Sequence, residues 1–422
     1  MKNQIPFLWV LFLIAGCSSS KQIHSRHNIK TNNAFLENLL KKYPLYFDTI
    51  LNNRDSFRVQ ILYSGIDRDK NNKAIFSHHY FNVDPHHYFY PASTIKMPIA
   101  AAALEKLQKI KKYGIDRNTT MLTEAGYSGQ TPVYNDPTTP DGRPTVAHYI
   151  KKIFLNSDND ASNRLYEFVG QQYLNKRLHN KGYNTAQIIH RLSIDLNEDQ
   201  NRHTNPIKFF NDSGEIAFKQ DEKTSTRKFP ARNILLGNGY LSNNKMIALP
   251  FDFSKKNQIA LTDLQSILQS ILFPSSVPAR QRFSFSDTDR KFIIQYLSQY
   301  PSETFYPQYD SVVWDGNAKF FLWDAEKRAL PKNIRVFNKI GGAYGFLTDV
   351  AYVADFERNI EFMLSATIYC NSDGIFNDDR YDYENIGLPF MKHLAEIIHN
   401  YEITRFRKHA PDLTEFKIKY EK

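Results

Sequence analysis

The sequence predicts an α+β fold in which an antiparallel sheet is flanked by helices and a second lobe is all helical. Strand-like runs lie near both ends of the chain, at 57–82 and 334–370, and turn-forming residues interrupt each of them. The stretch between them contains segments with apolar residues at helical spacing. A sheet assembled from the two ends of the chain, with a helical lobe inserted in the middle, satisfies both patterns.

The individual elements follow from the same periodicities. The first run has two β-rich halves around a turn-rich centre and predicts a hairpin, whereas the second predicts three strands separated by a Gly-rich turn and by "DFERN". The polar segment 198–260 predicts an insertion that contains a hairpin. Helical periodicity predicts helices at 34–51, 92–110, 145–156, 261–273 and 387–402.

Composition and charge restrict the class of protein. The chain has 422 residues, of which 41% are hydrophobic and 14% aromatic, so it is globular and not disordered. The formal net charge is +10, but the positive residues are spread along the chain without a long Lys/Arg block. This distribution favours anionic surroundings such as a bacterial envelope, and we expect no nucleic-acid partner.

The N-terminus predicts export from the cell. Lys2 is followed by the apolar stretch 5–15 and then by Gly16 and Cys17, which is typical of a secretory signal and too short for a membrane span. The residues "IAGC" that end at Cys17 resemble a bacterial lipobox, and the resemblance implies that Cys17 is lipidated and becomes the mature N-terminus. The alternative is a buried apolar helix that carries a cysteine by chance.

A lipobox divides the chain into three parts. These are a lipoprotein signal peptide at 1–16, a polar tether at 17–32 and a domain at 33–422 that contains the insertion. Acyl chains on one residue would hold the protein on a membrane surface of the bacterial cell envelope, in the periplasm or at the outer membrane, without spanning the bilayer. The other cysteine, Cys370, lies in the apolar run "LSATIYC" and is predicted to be a buried small hydrophobic residue.

The first candidate catalytic pair is Ser93 and Lys96. The pattern Ser-x-x-Lys recurs elsewhere in the chain, but only this copy opens a long helical pattern, in which residues three apart share one face. A lysine amine in a desolvated site beside a serine can lose its charge and act as a base toward the hydroxyl. The alternative role for Ser93 is a helix N-cap, a common use of serine.

A second candidate motif is "SDNDASN", which begins with Ser157, Asp158 and Asn159 on a predicted loop after an apolar helix. Serine, aspartate and asparagine are also frequent in helix caps and turns, so a capping role is the alternative. The motif on its own therefore does not indicate catalysis.

The third candidate motif is Lys339-Ile340-Gly341, which lies inside a strand pattern. The sequence Lys223-Thr224-Ser225 is a rival for the same role. It lies in the polar insertion, however, and no strand pattern follows it. We therefore prefer Lys339.

The three motifs, in this order, resemble those of the penicillin-recognising serine hydrolases, which include class A β-lactamases and penicillin-binding proteins. The flanking sequences "YPAST", Asn163 and "YGFLTDVAYV" are similar to those of the class A group, and the resemblance covers roughly residues 34 to 400. It implies an active site in a cleft between the two lobes and acyl transfer through an ester on Ser93. It implies no cofactor and no metal.

Carried over residue by residue, the resemblance implies five catalytic roles. Ser93 attacks a carbonyl carbon and Lys96 takes its proton. Ser157 passes a proton toward the leaving nitrogen, and Asn159 helps to position Lys96 and the substrate. Lys339 supplies positive charge for a substrate carboxylate and for the proton network. The substrate class that these roles imply is a β-lactam amide.

The resemblance also assigns the oxyanion hole to the backbone N–H groups of Ser93 and Gly342. Gly341 and Ile340 would lie along the substrate-binding strand. Here the chain departs from the family pattern, because Ile340 replaces a threonine or serine whose hydroxyl binds the substrate carboxylate in the family. This change weakens the case for fast β-lactam turnover.

A second departure concerns hydrolysis of the acyl-enzyme. Class A enzymes carry a glutamate four residues before an asparagine, and it activates the hydrolytic water. Counting back from Asn197 reaches Ser193, whose hydroxyl is a poor base near neutral pH. Asp195 and Glu198 are the nearby carboxylates that could substitute.

Two alternatives to a β-lactamase-like enzyme follow from these departures. The missing glutamate favours a penicillin-binding-protein-like peptidase or transpeptidase that acts on cell-wall peptides. The change at Ile340 and the large insertion favour a non-catalytic relative that binds peptidoglycan.

Overall fold

The computed structural model describes residues 34–310, 312–323 and 325–422. The predicted signal peptide, the tether and Cys17 lie outside these residues. The described residues form one compact unit. In the part of the chain that is described, no helix combines the length and the apolarity that crossing a membrane would require.

The regular elements are numbered in chain order. The α-helices are α1 (Ala34–Leu40), α2 (Pro44–Asn52), α3 (Lys96–Ile110), α4 (Val146–Asn156), α5 (Asn159–Val169), α6 (Gln171–Asn180), α7 (Glu198–Arg202), α8 (Leu261–Leu272), α9 (Asp287–Ser298) and α10 (Leu388–Thr404). The strands are β1 (Gln60–Arg68), β2 (Ala74–Phe81), β3 (Thr120–Thr123), β4 (Ile207–Phe210), β5 (Ile216–Gln220), β6 (Leu235–Leu236), β7 (Gly239–Ser242), β8 (Lys245–Ile247), β9 (Phe251–Asp252), β10 (Ile334–Ala343), β11 (Phe346–Asp355), β12 (Ile360–Tyr369) and β13 (Ile375–Phe376).

The main sheet is antiparallel and is built from both ends of the chain, as predicted. Its strand order is β10-β11-β12-β1-β2, so the N-terminal hairpin pairs with the C-terminal strands through β1 and β12. The predicted α+β class, with a sheet flanked by helices and a helical lobe inserted between its strands, is confirmed. Strand β10 lies at one edge of the sheet and carries the predicted lysine motif.

Two apolar clusters cover the two faces of the sheet. Adjacent strand residues contribute to opposite clusters because side chains alternate along a strand. Leu62 packs with residues of α3, α4 and α8, whereas Ile61 and Tyr63 pack with residues of α1, α2 and α10. The helix that begins at Lys96 is therefore fixed between the sheet and the helical lobe.

Two details differ from the sequence-based predictions. The single helix predicted at 34–51 is two helices, because Pro44 occupies the first turn of a new one, a position that suits its fixed φ. The stretch after Asn156 is not a long loop, since α5 begins at Asn159. Only Ser157 and Asp158 connect the two helices.

Residues 198–260 form short strands that pair with other parts of the unit. Strands β4 and β5 continue a small sheet from β3. Strands β7 and β8 form an antiparallel hairpin, and β7 also pairs in parallel with β13. The segment is thus joined to the rest of the unit through β3 at its start and through β13 further along.

Candidate active site

Ser93 lies in a short 3-10 turn, Ala92–Ile95, directly before α3. Its side chain is not a helix cap, since α3 begins without any side-chain capping bond. Within the described residues, the Ser93 hydroxyl makes no hydrogen bond, so its lone pairs are available. The preceding Ala92 is buried and has φ +44°, a strained value of the kind that clusters at functional sites.

Lys96 lies one turn further along and is 0% exposed. Its Nζ donates to the backbone oxygen and the Oγ of Ser157, the latter at 3.3 Å, and to Asn159 Oδ1 at 2.6 Å. Burial lowers the pKa of Lys96 from 10.5 to about 7, while the nearby carboxylate of Asp158 acts in the opposite direction. A lysine with this pKa is a competent base near neutral pH.

The break between α4 and α5 places the second motif. Ser157 ends α4 in the left-handed region, with φ +57°, and its N–H bonds back to Ile153 at 3.1 Å. Asp158 is the N-cap of α5, accepting from Ala161 N at 2.7 Å, so the capping alternative is correct for this one residue. The reversal of the chain brings Ser157 and Asn159 to the same amine of Lys96.

Lys339 on β10 contacts the same serine, Ser157, from the side of the sheet. It is 1% exposed, and its Nζ donates to Ser157 Oγ at 2.8 Å and to the Ile340 carbonyl at 3.1 Å. Burial and, second, the charge of Lys96 hold the pKa of Lys339 well below its usual range. Ser157 Oγ therefore accepts from two buried amines that disfavour each other's charge, a geometry suited to passing a proton.

A buried polar network lies behind Lys339. Lys319 Nζ donates to Asn338 Oδ1 at 2.6 Å, and Asn338 Nδ2 donates to Asp349 Oδ1 at 2.8 Å. Burial raises the pKa of Asp349 above its usual range and lowers that of Lys319. None of the three catalytic motifs includes these residues. The available signal was Asn338 and Asp349 within two otherwise apolar strand patterns.

Gly341 is where the edge strand meets the Ser93 turn. A Cβ on Gly341 would lie 2.5 Å from the Pro91 carbonyl oxygen and 3.1 Å from Ser93 N, so only glycine allows this approach. The neighbouring Gly342 is exposed. Ile340 is 8% exposed and belongs to the same apolar cluster as Phe320 and Leu347. The isoleucine at 340 therefore packs in an apolar environment.

Ser193 completes the chain of contacts. Asn159 Nδ2 donates to Ser193 Oγ at 2.8 Å, and Ser193 has φ +52°. The loop is held by Asn163, which donates to the Leu192 carbonyl and accepts from Leu192 N, both at 2.9 Å. The position where the family pattern has a glutamate is therefore adjacent to Asn159 and is occupied by a hydroxyl.

The two candidate carboxylates lie elsewhere on this loop. Asp195 and Glu198 are exposed and line a cleft of about 540 Å³. Glu198 Oε1 pairs with Lys255 Nζ at 2.5 Å. Among the residues that the structure describes, neither carboxylate hydrogen-bonds to Ser93, Lys96, Ser157, Asn159 or Lys339. The structure thus joins Lys96, Ser157, Asn159 and Lys339, and leaves both carboxylates outside that network.

Comparison with protein families gives one match. Residues 68–232 match the model of the Beta-lactamase enzyme family. The matched region is less than half of the chain, but it includes Ser93, Lys96, Ser157 and Asn159. The match supports a serine hydrolase of the β-lactamase type at family level, with a small-molecule substrate.

Two solved structures are similar to the chain. A β-lactamase from Sphaerobacter thermophilus DSM 20745 has a TM-score of 0.45 and 12% identity, over 84% of this chain and 94% of that one. A β-lactamase from Xanthomonas campestris pv. campestris str. ATCC 33913 has a TM-score of 0.45 and 14% identity, over 88% and 98%. At values this low, neither likeness adds to the evidence for function. The comparison with curated proteins gives no match.

Proposed function

We propose that this protein is a serine hydrolase that forms an acyl-enzyme on Ser93, in the manner of a class A β-lactamase. One observation carries the proposal. Lys96 is fully buried one helical turn from Ser93, has a pKa of about 7, and is held by Ser157 and Asn159 from a second segment. Burial of an amine without a carboxylate partner is costly, and a base for the serine is a reason to retain it.

The proposed reaction begins with neutral Lys96 taking the proton of Ser93 as its Oγ attacks the substrate carbonyl carbon. Backbone N–H groups of Ser93 and Gly342 stabilise the oxyanion; loss of one such donor costs on the order of 3 kcal/mol of transition-state stabilisation. Ser157, which contacts both Lys96 and Lys339, passes a proton to the leaving nitrogen. The C–N bond breaks and an ester remains on Ser93.

The proposed substrate is a β-lactam amide with a carboxylate. Lys339 supplies positive charge for that carboxylate and for the proton network, with Gly341 and Ile340 along the substrate-binding strand. Hydrolysis of the ester then needs an activated water. The group that contacts Asn159 where the family pattern has a glutamate is the Ser193 hydroxyl, and Glu198 is paired with Lys255. Because neither group is placed to activate a water, we expect deacylation to be slow. Asp195 and Glu198 act as bases only if the loop changes its path.

A specific observation favours a second candidate, a penicillin-binding-protein-like peptidase or transpeptidase for cell-wall peptides. An acyl-enzyme that is hydrolysed slowly persists long enough for its acyl group to be transferred from Ser93 to an amine acceptor. The hydroxyl at Ser193 in place of a carboxylate supports this outcome. The third candidate, a non-catalytic peptidoglycan-binding relative, does not explain the two buried lysines that converge on Ser157.

We further propose that Cys17 carries the lipid anchor and holds the enzyme on a membrane surface of the bacterial envelope. The lipobox-like "IAGC" supports this placement.

Intact-protein mass spectrometry after addition of a penicillin tests the proposed function. Drug loss with a transient adduct on wild type, absent in Ser93→Ala, means a working β-lactamase. A stable adduct on Ser93 means that acylation proceeds and water is not activated, which favours the transferase. The absence of both an adduct and drug loss contradicts the β-lactam proposal. An adduct on Ser93→Ala equal to that on the wild type contradicts it as well.

A further inference from the structure

A second groove lies at the other end of the helix that carries Lys96. The last turns of α3, the start of α6 and strand β5 enclose a cleft of about 640 Å³. The sequence Lys223-Thr224-Ser225, the rival set aside as a catalytic motif, lines this cleft. It is separate from the active site, since none of the residues that contact Lys96 or Lys339 lines it.

The lining of the groove is strongly basic. Within the described chain, Asp221 is its one acidic residue, and Lys219 pairs with it at 2.8 Å. The side chains of Lys109, Lys176 and Lys223 make no ion pair with any described residue. The cations of the lining are Lys106, Lys109, Lys176, Arg202, Lys219 and Lys223.

The first turn of α6 opens into the same groove. This helix has ten residues and begins after Gly170, which has no side chain to cap it. Leu174 N is the first N–H with a helical partner, the Gly170 carbonyl at 2.9 Å. The N–H groups of Gln171, Gln172 and Tyr173 find no acceptor in the described part of the chain. Free N–H groups and the positive end of the helix dipole both favour an anion.

The Lys106 amine binds the carbonyl oxygens at the negative C-terminal end of α5, directly before the start of α6. Its Nζ donates to the Phe168 carbonyl, to the Val169 carbonyl at 3.4 Å and to Gln220 Oε1 at 2.5 Å. It thereby caps the negative end of α5 next to the positive end of α6. Burial and, to a smaller extent, the charges of Lys223 and Lys109 together lower the pKa of Lys106 to about 7. The positive potential of the groove is therefore concentrated and unbalanced.

A buried hydroxyl provides independent evidence for a ligand. Ser225 lines the groove and is only 5% exposed, yet its Oγ has no hydrogen-bond partner. The hydroxyl of Tyr173, on the first turn of α6, is also buried and unpartnered. Buried polar atoms without partners are rare in native structures, and a bound polar group is one explanation for a pair of them beside one groove.

We propose that this groove binds a phosphate group. Three backbone N–H groups, two hydroxyl groups and three unpaired lysines offer many donors and a high positive charge, which a tetrahedral dianion satisfies better than a planar carboxylate. The cleft is larger than a lone phosphate, so the group belongs to a larger molecule. Either a soluble phosphate ester or the headgroup of an anionic lipid supplies this chemistry.

Calorimetric titration of the full chain in neutral detergent tests the proposal. The first ligand is inorganic phosphate, and the second is a micelle of the same detergent doped with phosphatidylglycerol. The variants are Lys109→Gln with Lys223→Gln, and Ser225→Ala. Lys245→Gln, an exposed lysine on β8 outside the groove, is the matched control. Circular dichroism and Tm establish that each variant is folded.

We expect the double lysine variant to bind on the order of tenfold more weakly, Ser225→Ala to bind more weakly by a smaller factor, and Lys245→Gln to bind like wild type. Binding of inorganic phosphate indicates a soluble ester, and binding of doped micelles alone indicates a headgroup; both support the site. No binding of either ligand, or binding that the groove variants leave unchanged, overturns it. Acylation of Ser93 is expected to be unaffected by these variants, so this test is independent of the proposed function.

Discussion

Ser193 Oγ accepts a hydrogen bond of 2.8 Å from Asn159 Nδ2, and Asn159 Oδ1 accepts one of 2.6 Å from Lys96 Nζ. One amide thus connects the proposed base for acylation to the residue that would have to assist deacylation. The Lys96 amine at one end of this hydrogen-bond chain can exchange a proton near neutral pH, whereas the Ser193 hydroxyl at the other end cannot. Under the proposed function, this asymmetry favours formation of the ester over its hydrolysis.

Ser193→Glu is expected to shorten the lifetime of the acyl-enzyme. The side chain at 193 is exposed and its Oγ contacts Asn159, so we expect a carboxylate at this position to lie beside the network that holds Lys96 and to activate a water. General base catalysis contributes roughly 10² to 10⁴-fold, and we expect at least about tenfold faster loss of the adduct. Time-resolved mass spectrometry measures it. Ser193→Gln, of equal size without charge, is the control, and equal lifetimes in the two variants would refute the explanation.

The rate of Ser93 acylation is expected to rise with pH and to level off above about 7. Lys96 has its pKa lowered to about 7, so it is protonated and inactive below that value and neutral above it. Lys96→Arg keeps the charge at all accessible pH and should abolish this limb. Lys106→Arg is the control, because Lys106 is also buried with a pKa of about 7 but lies in the other groove. A flat profile in wild type would contradict the assignment of Lys96 as base.

Gly341→Ala is expected to reduce acylation by about 10²-fold. The new Cβ would meet the Pro91 carbonyl oxygen at 2.5 Å, and displacement of the Ser93 turn by about 1 Å costs catalysis of that order. Gly214→Ala is the control: it has φ +78° and no neighbour within 4 Å, so it carries backbone strain without moving the site. Acylation rates and Tm are compared for both. Loss of activity in Gly214→Ala as well would show a general effect of stability.

Lys319→Met is expected to destabilise the fold by about 3 kcal/mol. It removes one end of the buried network and leaves Asn338 and Asp349 without their compensating amine. Urea unfolding at pH 7 measures the change in the free energy of unfolding. Lys332→Met, an exposed residue just before β10, should change it by less than about 0.5 kcal/mol. An equally small effect of Lys319→Met would mean that the network contributes no net stability.

Cys17→Ala is expected to release the protein from membranes, because the proposed acyl chains have no other attachment. Fractionation of cells and labelling with a fatty acid measure the anchor. Cys370→Ala is a matched control, since Cys370 is buried and cannot be acylated in the folded protein. Retention of the label in Cys17→Ala would disprove the lipobox.

The sequence predicted the sheet, because periodicity is strong where β1, β10, β11 and β12 alternate between two buried faces. It also placed Ser93 beside α3, although the residue lies in the 3-10 turn that precedes this helix. The break at Pro44 was missed because the apolar spacing continues across it. A proline rule would have found it.

The remaining contacts were beyond local patterns. The bond from Asn159 to Ser193 joins distant residues and depends on the positive φ of Ser193, which only the folded loop imposes. Lys319 lies in a stretch with no regular period, so nothing in the sequence marked it as buried. The capping role of Asp158 was offered as an alternative, and it is correct beside a catalytic interpretation of its two neighbours.

The order of the sheet has a consequence for biosynthesis. Strand β1 is complete soon after the chain begins, but its partner β12 ends at residue 369. Lys339, which must reach Ser157, is also made late. A polypeptide emerging from the ribosome or a translocation channel therefore holds Ser93 and Lys96 long before the lobe that buries them can close. Long-range pairing of this kind slows folding, so the complete sheet and the contact of Lys339 with Ser157 form only after the C-terminal strands have been made.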